Sequence, residues 1–441
     1  MKRITSLLLA IVMMFNLAAC GGGNSAGAAN KTNSKGNNTA STDSEVTEDD
    51  GKIHINYWYA WKDRIGESKE KLVEEFNNSQ DEIVVHAEYQ GSYDELNAKV
   101  QAAYAAGEAP EVFDCVIDTI YSFANGGLLQ ELTPMVTEET NLDDFNKGLM
   151  MEGYVDGKLF GLPFYRSTPI LYKNKTMLEA AGLDPAGPRD WDEMEEYCRV
   201  LRDESNDIYG LSYFIYIWIY QAFTASGGGQ LYKDGKPTIN DPAAIEAAEF
   251  LQRMYNENLM KVPVGEQGSQ TTKQDYINQK ACFMFTSTAD LSYFLPLAEE
   301  NGFELDVSFI PKNPKGEYAV PTGGCDIVMT SGHDTAKQEA AWKFISWITD
   351  TEQAAFSSSY TGYLPSRYSA LETDILKELY AEKPQFKVAV DQLEYAIETP
   401  VSENWPEAIK LLGETVTVTT TENKDVKKAF DELQAQVEAM E

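Results

Sequence analysis

The chain has 441 residues, 43% of them hydrophobic and 11% aromatic, and sets 70 acidic side chains against 36 basic ones for a formal charge of −34. That length exceeds one ordinary core and points to two lobes, while the charge repels nucleic acid and anionic lipid. Five cysteines without a Cys-x-x-Cys pair and three scattered histidines (His54, His86, His333) argue against a zinc site, a thioredoxin motif or a serine triad, and no cofactor or metal is expected.

In chain order, the first element is a leader. Lys2 and Arg3 precede an apolar run from Ile4 to Leu17, interrupted by Thr5, Ser6 and Asn16. The run is shorter than the roughly 20 residues of a membrane span and has the form of a secretory signal. Leu17-Ala18-Ala19-Cys20 resembles the bacterial lipobox, which implies removal of residues 1–19 and lipidation (palmitate) of Cys20. Residues 20–51 are mostly Gly, Asn, Ser, Ala and Thr and then acidic, with little to bury, so they read as a flexible linker. A lipid and a tether imply a globular body anchored at the extracytoplasmic face of a cell membrane.

From Gly51 short strands alternate with amphipathic helices. Ile53, Ile55, Tyr57 and Tyr59 repeat at period two and predict a strand; Glu67 to Asn77 a helix; Ile83 to Val85 a strand; Asp94 to Ala106 a helix stopped by Gly107; Val112 to Ile117 a strand. A second such region follows, with strands at Thr168–Tyr172, Ala281–Phe285 and Leu305–Ile310. Its helices begin at Asn174, at the capping-box-like Asp190-Trp191-Asp192-Glu193 and at Asp241-Pro242. Gly323–Met329 is a strand, Thr335–Ile348 a helix, and Lys424–Met440 an amphipathic helix. The fold class is α/β, with mostly parallel sheets flanked by helices. Cys115, Cys198, Cys282 and Cys325 are widely spaced and read as buried thiols, a disulfide staying open.

Three stretches are similar to the extracellular solute-binding proteins of ABC importers. They are Pro163-Phe164-Tyr165-Arg166-Ser167-Thr168-Pro169-Ile170-Leu171-Tyr172 continuing to Asp190-Trp191; Thr322-Gly323-Gly324 with Ala340-Ala341-Trp342; and Thr361-Gly362-Tyr363-Leu364-Pro365. Gly107-Glu108-Ala109-Pro110 adds a fourth. The resemblance implies a two-lobed periplasmic-binding-protein-like fold (type II) with a ligand cleft between the lobes. One lobe takes residues 52–165 and 320–362, the other 166–319 and 363–441. It also implies a monomer that hands a small solute to a membrane permease, without catalysis.

Within that family the chain looks closest to the sugar and glycerol-3-phosphate-binding branch. The match implies ligand roles for Tyr93, Ser167, Gly324 and Tyr363, and less directly for Thr288. Two departures matter: the branch's ligand glutamate falls on Ile117, with Asp118 one step on, and Pro400 to Pro406 holds no arginine for a phosphate. Oxyanions of phosphate want a guanidinium or a set of amides; Arg166 or Arg367 are the candidates to replace it. A neutral carbohydrate is therefore the first expectation, glycerol-3-phosphate or its diesters the second. A surface glycan hydrolase and an adhesive lipoprotein remain rivals of other classes.

Sugars present apolar ring faces and hydroxyl edges, met by aromatic rings and by carboxylates, amides or arginines. Aromatics occur where loops leave strands: Trp61, the Tyr213–Tyr220 run with Trp218, Tyr363 and Trp405. For Trp61, Trp218 and Trp405 core and ligand roles stay open, as do surface and ligand roles for Arg166. Tyr363 and Ser167 read better as ligand residues, and Trp191 and Trp342 as core.

Overall fold

The computed structural model describes residues 51–399, 402 and 404–440. The leader, Cys20 and nearly all of the tether lie outside these residues, as do Pro400, Val401 and Glu403.

The period-two pattern builds β1 (Ile53–Tyr59), whose Ile55, Tyr57 and Tyr59 are buried. Helix α1 (Asp63–Ser79) starts a turn earlier than the apolar spacing indicates and buries Leu72, Val73 and Phe76. Strand β2 (Ile83–Tyr89) pairs in parallel with β1 along its whole length. Helix α2 (Tyr93–Ala106) opens with a full capping box between Ser92 and Glu95 and ends at Gly107, φ 77°. Strand β3 (Val112–Val116) follows.

Strand β4 (Gly161–Ser167) was not legible in the pattern: all seven residues are buried, so nothing alternates. One residue later β5 (Pro169–Asn174), also wholly buried, begins in a different sheet. Helix α3 (Trp191–Leu201) has half of the expected capping box. Asp190 accepts from the Glu193 amide at 3.0 Å, but Glu193 turns to the Arg189 amide at 2.8 Å. The chain continues through β6 (Tyr209–Ser212), α4 (Ile217–Ser226), α5 (Pro242–Asn256), β7 (Met260–Lys261), β8 (Ala281–Ser287), β9 (Leu305–Ser308) and β10 (Gly323–Met329). Then come α6 (Thr335–Ile348), α7 (Thr351–Thr361), α8 (Trp405–Thr421) and α9 (Val426–Glu438).

Two five-stranded sheets result, in the orders β2-β1-β3-β10-β4 and β7-β6-β8-β5-β9. In each, the fourth strand runs antiparallel to both neighbours and the other four share one direction. The two-lobed α/β architecture follows, each sheet mostly parallel. Parallel ladders need crossover helices, and these cover both sheets. Phe344 of α6 packs on Tyr57 in the first core; Trp191 stacks on Phe250 at 5.0 Å in the second. Trp342 packs half-buried against the first core. Cys115, Cys198, Cys282 and Cys325 are buried free thiols, and burial pushes each well above the ordinary thiol range, so they pack as small apolar groups. Among the described residues no helix is long and apolar enough to cross a membrane.

Candidate functional site

A hollow of about 300 Å³ lies where the two sheets face each other. Trp61 follows β1, Asp118 follows β3, Ser167 ends β4 and Ser287 ends β8; Trp218 comes from α4 and Trp405 from α8. Strand ends are where open α/β sheets leave crevices. A second hollow of about 470 Å³ shares Trp61, Tyr216, Trp218, Ser287 and Tyr363 with it. A third, of about 500 Å³, shares Gln221 and Thr399. The three form an elongated cleft. A larger hollow of about 690 Å³, lined by Pro296, Leu379 and Glu382 among others, lacks this convergence of tryptophans.

Trp61 owes its position to a strained corner. Its backbone is left-handed, φ 69°, a conformation that costs a non-glycine residue about 1 kcal/mol or more. A buried cluster holds it there. The Ala60 amide donates to Asp114 Oδ2 at 3.1 Å, and Lys69 Nζ donates to the Ala60 carbonyl at 3.1 Å. Lys69 also pairs with Asp114, and the Trp61 amide donates to the Gly91 carbonyl at 2.9 Å. Lys69 and Asp114 are both fully buried, so each compensates the other's charge. The exposed Trp61 ring meets Tyr93 edge-on at 5.4 Å.

Tyr363 follows Gly362, whose φ of 95° caps α7. Its ring stands edge-on to Tyr165 at 5.1 Å, and Lys69 lies over the Tyr165 ring at 4.6 Å. The corner under Trp61 and the wall at Tyr363 thus rest on one lysine. Burial pushes the Tyr93 and Tyr363 phenols far above their ordinary range, so both are neutral hydrogen-bonding groups.

Two glycines let backbone and ring approach. A Cβ on Gly323 would stand 2.7 Å from the Trp218 ring, and one on Gly324 (φ 91°) would stand 2.0 Å from the Tyr165 carbonyl. Without them the Trp218 indole could not lie on β10, where its Nε1 donates to the Thr322 carbonyl at 2.8 Å. Trp405 is 1% exposed and packs mostly in the second core; among the described residues its buried Nε1 has no hydrogen-bond partner, nor has Gln221 Oε1. Unpaired buried donors and acceptors at a cavity wall are free to bond a polar solute.

Eight of the ten sequence-derived candidates therefore line one hollow: Trp61, Tyr93, Asp118, Ser167, Trp218, Gly324, Tyr363 and Trp405. Arg166 and Thr288 do not. Arg166 is fully buried and all five of its N–H donors are engaged. Nε donates to the Gly323 carbonyl, Nη1 to the Leu149 carbonyl and Asp326, and Nη2 to Glu152 and Thr322. Arg367, the other candidate for a phosphate, bonds the Thr349, Thr140 and Asn141 carbonyls away from the cleft. Thr288 faces inward and bonds the Thr168 amide at 3.4 Å, so Ser287, one position earlier, lines the hollow instead. Strand β8 ends at Ser287 and a short helical turn begins at Thr288, which carries the Thr288 hydroxyl to the Thr168 amide. Sequence reasoning also missed Tyr216, which lines both adjoining hollows; the run Tyr213 to Tyr220 was its one signal.

Comparison with known proteins agrees with this architecture. A family model described as bacterial extracellular solute-binding protein matches residues 71–388. The sn-glycerol-3-phosphate-binding periplasmic protein of Pectobacterium atrosepticum is 25% identical over 86% of this chain and 88% of its own. The related protein of Mycobacterium tuberculosis, solved in complex with glycerophosphocholine, superposes with a TM-score of 0.77 at 22% identity, over 88% of this chain and 98% of that one. A substrate-binding protein of Listeria monocytogenes in complex with cycloalternan gives 0.76 at 21%, over 88% and 99%. Proteins of this kind bind small solutes for ABC importers and are not enzymes. On its fold, its cleft and the match over most of its length, the chain belongs to the bacterial extracellular solute-binding proteins.

Proposed function

We propose that the protein captures a carbohydrate in the aromatic cleft and delivers it to an ABC permease, tethered at the outer face of the membrane through a lipid on Cys20. One observation carries the substrate reading: among the described residues no lysine or arginine lines the 300 Å³ hollow, and the two arginines nearest to the purpose in sequence are engaged elsewhere. A phosphate ester would meet tryptophans, tyrosines and a carboxylate there, a lining suited to sugar rings and hydroxyls. The elongated set of three hollows favours a solute longer than a three-carbon one.

Ligand roles are assigned accordingly to Trp61 and Trp218 as stacking faces, to Trp405 through its indole N–H, and to Tyr93, Ser167 and Tyr363 as hydroxyl partners. Asp118 and Gly324 line the floor. The chain is taken to cross between lobes near 162–168, 318–322 and 360–366, so that closure is a hinge motion stabilised by contacts to both sides. The lobe boundaries at 165, 319 and 362 follow from those crossings.

A glycerophosphodiester is the second reading, favoured by the relatives named for sn-glycerol-3-phosphate and by the glycerophosphocholine complex of one of them. A thermal-shift screen of the purified protein against mono- and oligosaccharides, glycerol-3-phosphate and glycerophosphodiesters separates the two. Binding at a hundredfold excess over Kd stabilises by about 2.7 kcal/mol. A shift with saccharides alone supports the carbohydrate; a shift with phosphates alone refutes it.

A further inference from the structure

We infer that the captured solute carries a positively charged nitrogen, held beside Asp118 within the aromatic wall of the cleft. This deepens the capture reading above and rests on it. Asp118 lies in the 300 Å³ hollow; its carboxylate accepts from its own backbone amide but has no ion pair and no bond from another side chain among the described residues. The buried carboxylates Asp114, Glu152 and Asp326 do have cations: Asp114 has Lys69, and Glu152 and Asp326 share Arg166. Asp118 has no such cation, and Tyr216 lines the same hollow. Burial pushes the Asp118 carboxyl up, the bond from its own amide opposes this, and the charge of Asp94 adds to the rise.

Among the described residues the surroundings supply no cation from elsewhere. The one basic residue lining the adjoining hollow, Lys273, is bound to Asp290 at 2.8 Å. A carboxylate in a half-enclosed apolar site, without a counter-charge, is an unfavourable term that an incoming cation removes. The walls suit the same charge: Trp61, Tyr93, Tyr216 and Trp218 offer π-faces, whose negative quadrupole attracts ammonium groups. The overall charge of −34 draws cations in and repels anions. A neutral sugar uses the rings but leaves the Asp118 charge uncompensated. An amino sugar or a quaternary-ammonium headgroup uses both.

The test is calorimetric titration of the purified protein with two probe pairs that differ chiefly in charge: glucosamine against glucose, and choline against 3,3-dimethylbutan-1-ol, with maltose alongside. The expected result is at least about tenfold tighter binding of the charged member in one pair, and closure of that gap in Asp118→Asn. The pair that shows the gap distinguishes amino sugar from quaternary ammonium. Equal affinities within both pairs, a gap that survives Asp118→Asn, or maltose binding with no response to either cation overturns the inference and leaves carbohydrate capture standing. Failure of every probe, maltose included, counts against capture as well. A second readout needs no ligand. Relieving an uncompensated carboxylate leaves the melting temperature of Asp118→Asn unchanged or raised, whereas a fall of more than about 4 °C marks Asp118 as structural and overturns the proposal.

Discussion

Arg166 and Asp118 are two charged residues close to the same strand ends, and they have opposite fates. Arg166 has five donors and five acceptors; Asp118 has an empty hollow in front of it. A charged residue beside a family motif is therefore not by itself a binding group. Unused hydrogen-bonding capacity facing a cavity is the discriminating property. Arg166 serves the buried network instead: Glu152 accepts from Arg166, from Thr322 Oγ1 at 3.2 Å and from Thr399 Oγ1 at 3.1 Å, and so ties three distant stretches together.

The largest effect that would break this contrast is at the arginine. Arg166→Met leaves Glu152 and Asp326 buried without a cation and is expected to cost about 3–5 kcal/mol by denaturant titration. A variant as stable as wild type but deaf to solute would reverse the assignment. Next is Gly324→Ala, which forces a Cβ against the Tyr165 carbonyl at a positive φ. A loss of about 1–3 kcal/mol is expected, with weaker binding beside it. A loss under half a kcal/mol would mean the strand shifts freely there.

Trp61→Ala removes an exposed ring, so its cost should fall on affinity, about 1–2 kcal/mol by calorimetry, and not on the denaturation midpoint. The finest signal is a slope. Burial pushes the Asp326 carboxyl up to about 6, against the pull of Arg166 and with the push of Glu152. The native state then holds a proton that the unfolded chain has released, so this contribution is complete below about pH 4 and lost as pH rises through about 6. Asp326→Asn should gain on wild type across that window; a constant difference between the two would show the group ionised throughout.

Before any coordinates, Ile53–Tyr59, Gly323–Met329 and Thr335–Ile348 were legible, because each has one wet and one dry face or a clear breaker at its end. Gly161–Ser167 was not: seven buried residues carry no period, and its role as a shared wall is invisible in one dimension. The hollow is lined by Tyr363, Ser167 and Gly324, which motif order singles out, and by Ser287 in place of Thr288, because the strand ends at Ser287 and a helical turn begins at Thr288.

By itself, then, the amino-acid sequence determined the α/β class and the aromatic supply, together with the lack of a new arginine near Trp405. These are properties of composition and local pattern. Which charges are compensated was decided only by tertiary structure. Whether Arg166 reaches a solute depends on Glu152, Asp326 and Thr322, up to 160 residues away in sequence, arriving at the same buried point. Whether Asp118 does depends on no such partner arriving. Electrostatic pairing acts over a few ångströms of space, and the fold alone sets which residues share them.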